Sequence, residues 1–128
     1  MKQIFIFTLV IVLYSCKSFQ RTEDLTKGFL VECWVNSYEE STPDKGYEVY
    51  RPCDYKSFPA SRFRFKMELN NDGTCNYFYL APDDNHKMKP GTWSNKNKLL
   101  KIFNSEGSLI KQFEIIQLEE NLLGIIEK

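Results

Sequence analysis

The chain has little of what most catalytic sites use. It contains a single histidine, so the usual nucleophile–base pair or a multi-histidine metal centre has one candidate at most. Neither charge sign is in excess: 17 basic residues face 17 acidic ones, which leaves no field to hold a phosphate backbone and excludes nucleic acid as an expected partner. Six glycines and five prolines are too few for collagenous or low-complexity sequence. No Cys-x-x-C occurs, which removes zinc ribbons and thioredoxin-type redox chemistry. No helical period lasts twelve residues and no internal repeat is evident. At 128 residues the chain has room for one domain, not for a TIM barrel or a two-domain Rossmann enzyme. Aromatics, by contrast, are plentiful at 15%, more than a disordered chain carries.

Residues 1–15 read as a removable leader. Lys2 is a short basic start, and Ile4 to Tyr14 is apolar but for Thr8. As a helix that run covers roughly 16 Å, about half a bilayer core, so it suits a signal peptide rather than an anchor. It ends in Leu13-Tyr14-Ser15-Cys16, an aliphatic residue at −3 and a small one at −1 before a cysteine, which resembles a bacterial lipobox. Such a cysteine has its thiol alkylated by diacylglycerol and, after cleavage, its amine acylated, commonly with palmitate; two or three chains hold a membrane where one does not. Residues 16–27 are polar and read as a lipidated tether, leaving 28–128 as the domain.

Within that domain, short β-rich runs alternate with turn signals. They are Phe29 to Tyr38, a weak run at Tyr47 to Tyr50, Arg62 to Leu69, Thr74 to Ala81, Pro90 to Ser94, Leu99 to Asn104, Leu109 to Leu118 and Leu122 to Glu127. Arg62 to Leu69 alternates strictly, which places Phe63, Phe65, Met67 and Leu69 on the core face and Arg62 and Arg64 outward. Asp72-Gly73 is a strong hairpin turn. The expectation is an all-β, eight-stranded antiparallel up-and-down barrel, whose closure removes exposed edges. Phe63, Phe65, Phe103, Phe113, Trp34 and Trp93 are enough to fill most of its interior; the tryptophans read as core plugs or as a stacking platform.

One long connection, residues 39–61, breaks the rhythm after the first strand. It holds three prolines and is rich in aromatics, which points to an ordered lid or a plug of the barrel end. Tyr47, Tyr50, Arg51 and Tyr55 on this loop, with Glu39 and Arg62 flanking it, are the candidate contacts for a ligand or partner; Glu39 or Glu40 with Arg51, Arg62 or Arg64 would either pin the loop or orient a polar ligand. With Cys16 lipidated, Cys33, Cys53 and Cys75 remain. An oxidising envelope favours one bridge, expected between Cys53 and Cys75, holding the loop over the barrel mouth. Asp83, Asp84 and His86 read as a solvated turn rather than a metal site. The doublets Glu39-Glu40 and Glu119-Glu120 do not read as paired catalytic carboxylates, because neighbours on a strand face opposite ways. No catalytic residue, metal or cofactor is expected.

Trp34 with Glu39-Glu40, Tyr50-Arg51-Pro52, Phe58 to Arg62, Asp72-Gly73 before an aromatic strand, Ala81 to Asp84, and Gly91-Thr92-Trp93 together resemble small lipocalin-like lipoproteins of bacteria, an uncharacterised group. The Gly-x-Trp that lipocalins commonly carry in the first strand is here Glu32-Cys33-Trp34. The resemblance implies a barrel and no catalytic residues. The expected role is non-catalytic binding of a small apolar or amphipathic ligand by a monomer on the bacterial envelope, the outer membrane first, on its periplasmic or surface face. The rival from another class is a protein-interaction module, such as an inhibitor of an incoming hydrolase.

Overall fold

A computed structural model describes residues 25–61, 63–83 and 86–128. Cys16, Arg62 and Asp84 therefore lie outside the described residues, as does the whole leader.

Residues 25–30 are helical, and three of them fall in the segment read from sequence as tether. Leu30 is fully buried, and its carbonyl accepts the indole N–H of Trp34 at 3.1 Å, so this turn closes one end of the domain. Eight strands follow: β1 (Cys33–Asn36), β2 (Glu48–Pro52), β3 (Lys66–Leu69), β4 (Thr74–Tyr79), β5 (Lys87–Lys96), β6 (Leu99–Asn104), β7 (Leu109–Glu119) and β8 (Leu122–Glu127). Every neighbouring pair is antiparallel and the sheet closes on itself, an eight-stranded barrel consistent with the lipocalin-like type.

From β3 to β8 the order is the simple meander the sequence implies. The closure is not: β1 lies between β2 and β3, and β2 fills the gap between β1 and β8. Because β1 is antiparallel to both, β2 and β3 run the same way. The chain from 53 to 65 must therefore return along the barrel, from the helix-capped end to the other. That requirement is why residues 39–61 are long. They hold two 3-10 turns (Tyr38–Glu40 and Pro43–Lys45), the strand β2, and the return segment.

The turns follow residue chemistry. Gly73 has φ +86°, supplying the left-handed conformation that closes β3 onto β4. Asn97 and Lys98 are both at positive φ, the two-residue type I′ turn that matches strand twist between β5 and β6. Gly91 is needed for packing, since a Cβ there would stand 2.1 Å from the Phe103 carbonyl oxygen. A register shift between Ile115 and Gln117 turns Ile116 out to the surface.

Inward positions alternate along the strands, but Phe103, expected in the interior, is not among them, because its neighbour Ile102 takes the inward position on β6. Trp34, Tyr50, Met67, Leu69, Cys75, Tyr77, Trp93, Leu100, Ile102, Phe113, Ile115, Leu123 and Ile125 form one buried cluster. The Trp93 indole N–H is accepted by the Asn70 carbonyl at 2.8 Å. Both tryptophans are thus core residues with satisfied donors, not a stacking platform. The expectation for Arg62 to Leu69 holds only over its second half. Met67 and Leu69 are buried and Phe65 packs against the core, but Phe63 is 53% exposed. The reason is the length of β1: its four residues offer a ladder only to Lys66–Leu69. Upstream, the Phe63 carbonyl accepts the Tyr38 hydroxyl instead.

Candidate functional site

The disulfide joins Cys33 to Cys53, with Cα atoms 5.4 Å apart, and not Cys53 to Cys75. Pairing of Trp34 with Pro52 places Cys33 and Cys53 side by side, where the Cys53 N–H also donates to the Cys33 carbonyl at 2.9 Å. Cys75 points into the barrel and is 2% exposed, so the wall of the sheet separates it from Cys53. Burial alone pushes its thiol up to about 11. The bridge sits at the helix-capped end, opposite the mouth, because β2 runs away from the mouth.

The residues singled out from sequence accordingly do not meet in one place. Tyr50 faces the interior, edge-on to Phe65 and Phe113 at centroid distances of 6.5 and 6.4 Å. Tyr47 lies outside, its ring against Gly124 and its hydroxyl donating to Gln117 Oε1 at 2.9 Å. Arg51 also faces out. Its Nε and Nη2 donate to the two Glu40 oxygens at 2.9 and 2.7 Å, its Nη1 to the Asn121 carbonyl at 2.9 Å, and Tyr55 stacks on it at 4.6 Å. Glu39 takes Arg64, whose Nη1 also reaches the Asn36 carbonyl at 2.7 Å and whose Nη2 reaches the Pro59 carbonyl at 3.1 Å. The arginine beside each carboxylate holds Glu39 and Glu40 down to about 2. These two ion pairs fasten the first 3-10 turn to β2 and to the return segment, the pinning role rather than the ligand-orienting one.

The concavity lined by inward-facing residues of the barrel is its open end, a cavity of about 300 Å³; two larger ones lie on the outer surface, at residues 25–29 and at residues 41–48. The open-end cavity lies at the small end of the range of ligand pockets, roughly 300–1,000 Å³. Its floor is Tyr50, Phe65 and Tyr77, and its rim includes Phe63, Leu80 and Ile110. Four polar side chains enter it: Asn36 from β1, Glu48 from β2, Lys111 from β7 and Glu127 from β8. Lys111 and Glu127 pair at 2.7 Å. Asn36 is 3% exposed; its Nδ2 donates to the Tyr50 hydroxyl at 3.4 Å, while its Oδ1 is buried with no hydrogen-bond partner among the described residues. The Glu48 carboxylate makes neither a hydrogen bond nor an ion pair among the described residues. Burial first, and the nearby Glu127 charge second, raise its carboxyl above the ordinary range. Burial likewise raises the Tyr50 phenol.

Sequence reading missed Asn36, Glu48, Lys111 and Glu127, although a signal exists. Each stands two residues from a buried inward side chain on its own strand (Trp34, Tyr50, Phe113, Ile125), so strand parity sends it inward. Around this rim the His86 ring lies against Phe78 and Phe63, at 5.6 and 6.0 Å. Among the described residues no three of His, Cys, Asp or Glu are grouped to hold a metal ion, and no helix is long and apolar enough to cross a membrane. No family model, curated protein or solved structure matches the chain.

Proposed function

We propose that this chain is a lipid-anchored lipoprotein of the bacterial envelope, held by acyl chains on Cys16, whose barrel mouth binds a small amphipathic molecule without chemical change. The observation that carries the binding reading is the mouth cavity with the orphaned Asn36 Oδ1 buried in its wall. A buried acceptor without a partner costs about 1–3 kcal/mol, which a ligand donor reaching it would recover. The aromatic floor supplies the apolar surface such a ligand needs, and the rest of the interior is filled by side chains.

The test is quenching of a neutral aromatic probe, 1-naphthol, titrated with the protein. Ile110 lines the cavity at a partly exposed rim position, so Ile110→Trp fills the mouth without touching the core. Binding by the parent protein that is lost in Ile110→Trp supports the mouth as the site; equal binding by both refutes it.

The second reading, docking of an envelope protein, draws on the same rim, where Phe63, Leu80 and Leu109 are each about half exposed. A partner seated there would use the rim outside the cavity. Its binding would fall in Leu109→Asp, which changes an exposed side chain that does not line the cavity, while 1-naphthol binding persists.

A further inference from the structure

We infer that the mouth takes a small organic ammonium ion, whose N–H groups are accepted by Asn36 Oδ1 and the Glu48 carboxylate while its carbon body lies on the surrounding rings. The inference rests on the reading of the mouth as a ligand site and specifies its chemistry.

Placement comes first. Asn36 is directly opposite Tyr50 on the neighbouring strand, and Glu48 lies two residues before Tyr50 on the same inward face of β2. Two strand residues span about 7 Å, so the two acceptors stand on neighbouring positions of one wall, within the length of a single small ligand. Both offer oxygen lone pairs and both lack a donor among the described residues. A ligand with N–H donors satisfies them; one presenting a carboxylate or phosphate leaves the amide oxygen unpaired and opposes Glu48.

The charges facing the cavity agree. Glu48 comes from β2, Lys111 from β7 and Glu127 from β8; the hydroxyls of Tyr38, Tyr50, Tyr77 and Tyr79 also line it, and the His86 ring lies behind the lining rings Phe63 and Phe78. Lys111 is engaged by Glu127 at 2.7 Å and its charge also reaches Glu48, so the three charges lining the cavity leave one negative charge in excess. Lys89 from β5 is placed over the outer ring, Tyr79, at 3.7 Å, and Lys111 over Phe65 at 5.5 Å. Those two rings are taken by lysines, so a ligand cation would lie on the other rings of the floor, Tyr50 and Tyr77.

The experiment compares three probes of one shape by calorimetric titration: 2-phenylethylammonium, neutral 2-phenylethanol and 3-phenylpropionate. At pH 7 the ammonium is expected to bind at least about tenfold tighter than the alcohol, and the carboxylate weakest. Glu48→Gln keeps the shape of a half-buried side chain; it should erase the ammonium's advantage and leave the alcohol's affinity unchanged. Lowering the pH through the Glu48 titration should erase it likewise. Equal affinity for ammonium and alcohol, tighter carboxylate binding, or an advantage that survives in Glu48→Gln overturns the ammonium assignment and leaves the mouth a ligand site. Failure of all three probes together with 1-naphthol overturns both.

Discussion

Removing the Cys33–Cys53 bridge should cost the domain a large part of its stability. The two cysteines are 20 residues apart, and closing a loop of that length in the unfolded chain contributes about 3 kcal/mol in the loop-entropy model. The native side should bear little extra cost, because β1 and β2 are already paired beside the bridge. The double variant Cys33→Ser/Cys53→Ser should therefore fold to the same barrel and unfold more easily. For a domain this size a loss of about 3 kcal/mol lowers the urea midpoint by roughly 1–3 M. Tryptophan fluorescence follows the transition, since Trp34 and Trp93 are both buried. The pairing itself is checked by alkylation. In the native, unreduced protein no thiol of the barrel should react, and after unfolding without reductant Cys75 alone should. A midpoint within error of the parent's, or a labelled Cys33 or Cys53 in the unreduced protein, would refute the reasoning.

Four other outcomes follow from single sites. Trp34→Ala should destabilise by about 3–5 kcal/mol in chemical denaturation, because it empties the core and strands the Leu30 carbonyl. Gly91→Ala should cost about 3 kcal/mol or more, or prevent folding, because its Cβ meets backbone at 2.1 Å and no rotamer relieves that. Glu40 is held from an ordinary 4.5 down to about 2, so its contribution is complete above pH 4.5 and is lost as pH falls through 2; Glu40→Gln should flatten that part of the stability–pH curve. Cys16→Ala should abolish incorporation of a clickable fatty acid and release the protein from the membrane fraction; undiminished labelling would remove the anchor from the proposal.

The barrel was legible because its strands announce themselves: β-rich runs recur between turn signals, strict alternation sends Met67 and Leu69 inward, and Asp72-Gly73 closes its hairpin by local conformational preference. The place of β2 was not. Its five residues, Glu48–Pro52, lie among turn formers, and which neighbours it takes is decided by closure of the whole sheet, a long-range matter no local pattern encodes. The disulfide error follows directly, since the partner of Cys53 depends on β2 pairing with β1. The site suffered the same way. Tyr47, Arg51, Tyr55 and Glu39 drew attention as aromatic and charged residues in a long loop, yet they fasten that loop to the barrel's outer face. The cavity is lined instead by polar residues at strand ends, visible only by extending the inward parity past the last apolar position.

The claim that the mouth is a ligand site is tested most directly by native mass spectrometry of the protein purified from its own cells under mild conditions. A retained small-molecule adduct, one per chain, is expected, and it should be absent when the Ile110→Trp protein is purified in the same way. An adduct carried equally by the filled-mouth variant, or a parent protein that holds none and binds neither 1-naphthol nor 2-phenylethylammonium, would contradict it.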